Sequence, residues 1–130
     1  MPEKLCGLAH IGIYVADAEA SKNFYLNTLR FDLKAEHELP NGTKLIFCDA
    51  GDCRIELICP PVPVKREEGV VSHIAVECKN IEAWVDALKA KDVYFESEKV
   101  NAMNGFPGGA KNIFLHGPDG ERIELWEYTE

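Results

Sequence analysis

Apolar and polar positions along the chain fall into two successive runs of the same kind. From Leu8 to Val15 they alternate with a period of two. Ala9, Ile11, Ile13 and Val15 share one face and His10, Gly12 and Tyr14 the other, which predicts a strand with one side buried. Asp17 then offers an N-cap to a helix whose apolar side is Phe24, Tyr25, Leu26 and Leu29. Three strands are predicted after it, from Phe31 to Leu39, Lys44 to Cys48 and Cys53 to Cys59. Pro40-Asn41-Gly42 supplies the turn between the first two, and Gly51-Asp52 the turn before the third.

Residues 60–69 break the pattern, because Pro60-Pro61-Val62-Pro63 cannot join a sheet interior and Lys65-Arg66-Glu67-Glu68-Gly69 is wholly polar. The order then restarts. A strand is predicted from Val70 to Cys78, and Asn80 as the N-cap of a helix that buries Ile81, Trp84, Val85 and Leu88 and ends near Lys91. A strand from Val93 to Val100 and a glycine-rich loop over 101–110, a candidate lid or pocket rim, come next. Strands Ile113 to His116 and Arg122 to Tyr128 close the run around the turn Gly117-Pro118-Asp119-Gly120. The expectation is one α+β domain, residues 1–130, made of two repeats, 5–59 and 70–128, joined by a linker at 60–69.

The repeat extends to wording. Arg54-Ile55-Glu56-Leu57 recurs as Arg122-Ile123-Glu124-Leu125, and each copy closes a half whose first strand carries one histidine, His10 or His73. Alternation turns Glu56 away from Ile55 and Leu57, Glu124 away from Ile123 and Leu125, and each histidine away from the isoleucine that follows it. Singly, a strand histidine is commonly a structural hydrogen-bonding residue and a strand glutamate commonly faces solvent. As a matched set in two repeats, the four point to a metal centre once the two sheets curl toward each other. Two imidazoles and two carboxylates suit Zn²⁺, Ni²⁺, Co²⁺, Mn²⁺ or Fe²⁺, with room in a six-coordinate shell for water and substrate. His37 and His116 have no counterpart in the other half and are expected at the surface.

Composition removes several alternatives. With 14 basic and 22 acidic side chains the net charge is −8, spread without blocks, which disfavours nucleic acid and anionic membrane as partners. Apolar runs are too short to cross a bilayer, and Met1 leads into Pro2-Glu3-Lys4 without an apolar signal region, so a cytosolic location is expected. Cys6, Cys48, Cys53, Cys59 and Cys78 are odd in number and lack a Cys-x-x-Cys spacing. They read as reduced thiols packed as small hydrophobes.

The stretches Leu8-Ala9-His10-Ile11-Gly12-Ile13, Asn23-Phe24-Tyr25, Ile55-Glu56-Leu57, Ser72-His73-Ile74-Ala75-Val76 and Pro118-Asp119-Gly120 leading to Ile123-Glu124-Leu125 resemble the vicinal oxygen chelate superfamily. That superfamily includes glyoxalase I, methylmalonyl-CoA epimerase, extradiol dioxygenases and the fosfomycin- and bleomycin-resistance proteins. The resemblance spans nearly the whole chain. It implies two βαβββ modules in a cupped, mostly antiparallel mixed sheet with helices on its outer face. It also implies a homodimer whose sites take His10 and Glu56 from one chain and His73 and Glu124 from the other. The ligand set is closest to that of glyoxalase I, whereas the fosfomycin-resistance enzymes and dioxygenases typically lack a ligand at the place of Glu56, and epimerases commonly carry glutamine or another residue there.

The implied activity is that of a divalent-metal-dependent lyase or isomerase acting on a small 2-oxo compound or its thiol adduct through an enediolate. Glu124 is the implied base and Glu56 its partner on the opposite side. The alternatives are an epimerase of a 2-substituted acyl-CoA and a protein that binds a small molecule without turnover. Tyr14, Pro60 and the pair Gly69 and Val70 stand where glutathione-using members commonly carry arginine, asparagine and arginine, so the thiol is left open. Lys111 is a candidate for an anionic tail, with a solvated lysine as the plainer reading. Tyr14 is expected to line the pocket or pack at its rim. Arg54 and Arg122, on the glutamates' face, are candidates for balancing carboxylate charge or binding substrate, or are simply exposed strand-end arginines.

Overall fold

The computed structural model describes residues 3, 4, 6, 8–65, 67, 69, 71–103 and 108–129. The chain divides into two compact units, Met1–Lys65 and Arg66–Glu130. The first runs β1 (Ile11–Tyr14), α1 (Ala18–Asn23), a π-helical turn (Phe24–Thr28), β2 (Asp32–Glu38), β3 (Lys44–Ala50) and β4 (Cys53–Cys59). Its four strands lie in the order β1-β4-β3-β2. The β1 and β4 strands are parallel and the other neighbours antiparallel. The second unit runs β5 (Ile74–Glu77), α2 (Ile81–Lys89), β6 (Asn101–Met103), β7 (Ala110–His116) and β8 (Arg122–Tyr128). Its order is β5-β8-β7-β6, with β5 parallel to β8 and the rest antiparallel. Both units therefore have the βαβββ architecture that the repeat predicts.

In each unit the core lies between the helix and one sheet face. Ile46, Cys48, Ile55 and Leu57 are buried from β3 and β4, against Phe24, Tyr25 and Leu29 from the helical segment. Leu29 N–H donates to the Phe24 carbonyl five residues back, at 2.8 Å, and this widened turn seats the consecutive Phe24 and Tyr25 both inside. In the second unit Ile81, Val85 and Leu88 of α2 meet Ile113, Leu115, Ile123 and Leu125. Burying each such side chain stabilises by about 1.5–3 kcal/mol. This commits the odd-numbered positions of β4 and β8 to the helix side and turns Glu56 and Glu124 to the opposite face.

Several predicted elements differ. Both first strands are shorter than the alternation suggests, so His10 and His73 each sit one residue before a strand begins. The strand expected over Val93 to Val100 reduces to a single pairing, Phe95 with Leu115. Four polar residues, Glu96-Ser97-Glu98-Lys99, bend away after it, and the strand forms instead at Asn101–Met103, inside the predicted loop. The middle of that loop, 104–107, lies outside the described residues, as do Leu5, Val70 and linker positions 66 and 68. Helix α2 ends at Lys89, and Trp84 is only half-buried.

Asp17 caps α1 as expected, accepting from Ala20 N–H at 3.1 Å. Asn80 does not cap α2: it takes the left-handed conformation, φ 55°, and makes no side-chain cap. Its own N–H and that of Ile81 donate instead to the Glu127 carboxylate of β8, at 2.8 and 3.0 Å. That carboxylate consequently titrates below its usual range. The cap came from a residue 46 positions away, beyond the reach of local sequence rules.

Candidate metal centre

Strand register brings a histidine to a glutamate in each unit. Gly12 pairs with Glu56 across β1 and β4, and Ala75 pairs with Glu124 across β5 and β8. The histidine two residues before each small residue therefore reaches over it on the same face. His10 Nε2 lies 3.4 Å from Glu56 Oε1, and His73 Nε2 lies 3.1 Å from Glu124 Oε1. A Cβ at Gly12 would stand 3.1 Å from Ile58 Cδ1, a tight contact, and 3.6 Å from Glu56 Oε1, an ordinary one. Each imidazole also meets a phenylalanine from the strand beyond the glutamate's, His10 edge-on to Phe47 at 5.6 Å and His73 edge-on to Phe114 at 5.2 Å.

The supports behind the two pairs differ. His73 Nδ1 shares a 2.6 Å hydrogen bond with Ser72 Oγ, and the Asn112 amide donates to Glu124 Oε2 at 2.7 Å. In the first unit, Ala9 precedes His10. Leu45, two residues before Phe47 as Asn112 is two before Phe114, holds the place opposite Ile58. Glu124 is correspondingly the deeper carboxylate, its side chain 7% exposed against 16% for Glu56. Asn112 escaped the sequence reading. Its signal was available, a polar residue at the place where the other repeat has an apolar one.

The strand-end arginines are fixed on the same faces. Arg54 forms a two-pronged bridge to Asp49 at 2.7 and 2.9 Å, which holds the Asp49 carboxyl below its usual range. Arg122 makes the same fork to Glu96, at 2.8 and 2.9 Å, and lies 3.7 Å over the Phe114 ring that flanks His73. His116, expected at the surface, is partly exposed and engaged there: its Nε2 is 2.7 Å from Glu96 Oε2 and its ring packs on Tyr94 at 5.0 Å. Arg122 chiefly, with His116 adding to it against the opposing effect of burial, brings the Glu96 carboxyl down to about 2. Lys111 points to the helix side of β7, away from the face of Glu124, and bonds Glu82 at 2.6 Å. His37 is exposed on β2, and Tyr14 stands 57% exposed on the His10 face.

The four side chains fit a divalent ion chemically. A neutral imidazole with its proton on Nδ1 presents the Nε2 lone pair, and in His73 the Ser72 hydroxyl, 2.6 Å from Nδ1, can accept that proton's hydrogen bond. Adjacent ligands about 2.1 Å from one ion stand about 3.0–3.4 Å apart, between right-angled and tetrahedral arrangements. The nitrogen-to-oxygen spacings of 3.1 and 3.4 Å match that window. Within each unit, among the described residues, no third ligating side chain joins the pair. The thiols are poor alternatives: all five are free, and burial pushes Cys48 and Cys78 up to about 11.

Comparison with known proteins agrees with this architecture. The chain is 33% identical to YwbC of Bacillus subtilis strain 168 over 122 residues, covering 91% of this chain and 94% of that protein. It is 34% identical to the mitochondrial methylmalonyl-CoA epimerase of Homo sapiens over 130 residues, covering 91% of this chain and 72% of the epimerase. The trypanothione-dependent glyoxalase I of Leishmania major superposes with a TM-score of 0.76 at 25% identity, over 92% of this chain and 84% of that one. Among the described residues no helix is long and apolar enough to cross a membrane. The family model for the Glyoxalase/Bleomycin resistance protein/Dioxygenase superfamily matches residues 7–125, and the chain belongs to that superfamily.

Proposed function

We propose that this protein is a divalent-metal-dependent lyase or isomerase of glyoxalase type, acting on the thiol adduct of a small 2-oxo compound. The observation that carries the reading is the matched pair of His–Glu contacts, at 3.4 and 3.1 Å, set by the same register in both repeats. His10, Glu56, His73 and Glu124 would hold the ion, the first two from one chain of a homodimer and the last two from the other. Zn²⁺, Ni²⁺, Co²⁺, Mn²⁺ and Fe²⁺ all suit that donor set. When bound, the ion would act as a Lewis acid that stabilises negative charge developing on oxygens next to the reacting carbons.

The chain's own part is proton transfer and positioning. A glutamate takes the proton from one carbon and returns it to its neighbour, which is general acid–base catalysis worth about 10²–10⁴-fold. Two glutamates, Glu56 and Glu124, are available for this. Phe47 and Phe114 pack edge-on against the imidazoles and help orient them. Tyr14 is the exposed aromatic on the His10 strand and would contact the substrate's tail. With no arginine at Tyr14 and no cation at Gly69 or Val70, the tail is not required to be glutathione. The similar Leishmania major protein is a glyoxalase I dependent on a different thiol, trypanothione.

A second reading has its own support. The 34% identity to the human mitochondrial methylmalonyl-CoA epimerase favours proton exchange beside a thioester carbonyl, which also needs a carboxylate base. One experiment separates the two. The metal-loaded protein is given methylglyoxal hemithioacetals of several thiols in parallel with methylmalonyl-CoA in deuterated water. Turnover of a hemithioacetal without deuterium uptake into the thioester is expected. The reverse result replaces the lyase with the epimerase, and no reaction in either arm, despite bound metal, leaves a binding protein.

A further inference from the structure

The two strand-end arginines are satisfied in different ways. In the first unit Arg54 lies directly across the ladder from Asp49 and forks onto it, so the register itself supplies the carboxylate. The matching place across from Arg122 is held by His116, just as Phe47 and Phe114 stand across from the two glutamates. Histidine where the other repeat has aspartate sets two donors side by side. Their acceptor comes from outside the ladder, as Glu96 of the segment that bends away after Phe95.

We infer that Arg122 and His116 form an anion subsite on the open face of the second sheet, one that takes a carboxylate of the substrate and that Glu96 fills when no substrate is bound. An ionised carboxylate only accepts, so every contact is a donation to it. Arg122 Nε and His116 Nε2 donate to Oε2 at 2.8 and 2.7 Å, and Arg122 Nη2 donates to Oε1 at 2.9 Å. Three N–H groups converging on two oxygens of one plane match a carboxylate in shape as well as charge. The guanidinium lies 3.7 Å over the Phe114 ring, and this stacking holds the fork in place when its occupant leaves. That occupant is replaceable. Glu96 is 29% exposed, where an ion pair contributes little, and its backbone is tied separately, N–H to the Phe114 carbonyl at 2.9 Å. Rotation of its side chain therefore empties the place without moving the chain.

The subsite lies beside the proposed reaction centre. Phe114, which supports Arg122, also meets His73 edge-on, and Arg122 stands two residues before Glu124 on the same face, about 7 Å along the strand. A substrate held at His73 and Glu124 would bring to the fork a carboxylate a few bonds from its reacting carbons. The substrate class is then an oxo compound whose end away from the thiol is a carboxylate. That the ligand is a substrate rests on the proposed function, whereas the subsite itself does not.

Titration of the full-length, metal-free protein with succinate and, separately, with inorganic phosphate tests the subsite, read from the NMR shifts of the Arg122 and His116 side chains. Glu96→Ala should bind succinate about five- to tenfold more tightly than wild type, the size of one exposed ion pair no longer competing. Glu96→Gln, which keeps the length and one acceptor, should gain less, and Glu96→Ala combined with Arg122→Met should gain nothing. Equal affinity in wild type and Glu96→Ala, or a gain that survives Arg122→Met, overturns the subsite. A gain as large for phosphate overturns the carboxylate class. With metal bound, wild type should turn over the thiol adduct of a carboxylate-ended 2-oxo aldehyde with a higher kcat/KM than that of methylglyoxal, and Arg122→Met should lose this preference. A preference absent from wild type, or retained in Arg122→Met, overturns the substrate assignment while the metal-enzyme reading stands. No turnover of either adduct overturns the proposed function and the substrate assignment with it.

Discussion

The two halves of this molecule share a backbone plan and differ in how its details are held. Each has a parallel first strand beside its last, the same strand order and a small residue opposite its glutamate. Yet α1 is capped by its own Asp17 and α2 by Glu127 from across the sheet. Arg54 is paired by the adjacent Asp49, whereas Arg122 is paired by Glu96 from a bent segment and shares it with His116. One His–Glu pair has two supporting hydrogen bonds from neighbouring side chains and the other has Ala9 and Leu45 in those places. Repetition of the hydrophobic pattern fixes the plan, because the core tolerates only matching volumes and faces. Polar contacts on the open face are free to diverge, and they are where the halves differ.

The largest expected effect breaks the comparison at the glutamates. Glu56→Gln and Glu124→Gln should each lower turnover about 10²–10⁴-fold. If sites are shared between chains, mixing and re-annealing the two variants should restore about a quarter of wild-type activity. Half of the dimers are then mixed, and each of those holds one intact site. No recovery in the annealed mixture would place each site within one chain.

Next in size are the paired core truncations Leu57→Ala and Leu125→Ala, at matched positions that are 0% and 3% exposed. Each should cost about 2–5 kcal/mol in urea unfolding. Similar losses would show that both units depend on their own cores to the same extent, and a difference beyond that range would rank them.

Smaller effects come from the caps. Asp17→Ala should destabilise by about 1 kcal/mol. Glu127→Ala should lower the melting temperature in the same direction, with helix loss confined to α2 in amide exchange. Exchange loss in α1 instead would contradict the cross-sheet cap.

The smallest effect distinguishes the arginine clusters. Glu96 has its pKa lowered from 4.5 to about 2, so its bridge stabilises the folded state above the unfolded value and loses that contribution as pH falls through the folded one. A partly exposed bridge of this kind is worth about 1 kcal/mol or less. Wild type should therefore exceed Glu96→Gln in stability at neutral pH. The gap should shrink between pH 4.5 and about 2, and a gap that stays constant through that interval would argue against the ion pair.

Much of this architecture is legible in the sequence. Period-two alternation fixed β1, β4 and β8 and the faces on which Glu56 and Glu124 stand, since one buried face leaves the other side chains a single direction. The Asn-Gly turn appears with Gly42 at φ 90°, as its chemistry requires. Illegible were the features that depend on distant chain. Strand Val93 to Val100 failed because Glu96 is drawn to Arg122 and His116, and polar residues 96–99 have little apolar area to hold a ladder. Lys111, a candidate for an anionic tail, is turned by its strand register toward Glu82.

The sequence by itself determined that the chain repeats, that each half is a βαβββ unit, and that one histidine and one glutamate of each half share a face. Periodicity and repeated wording are local properties. Only the tertiary structure decided which nitrogen meets which oxygen, which pair is backed by Ser72 and Asn112, and which helix borrows its cap. Those outcomes depend on strand register and on side chains brought together from far apart in the chain, where a difference of one hydrogen bond separates two otherwise matching places.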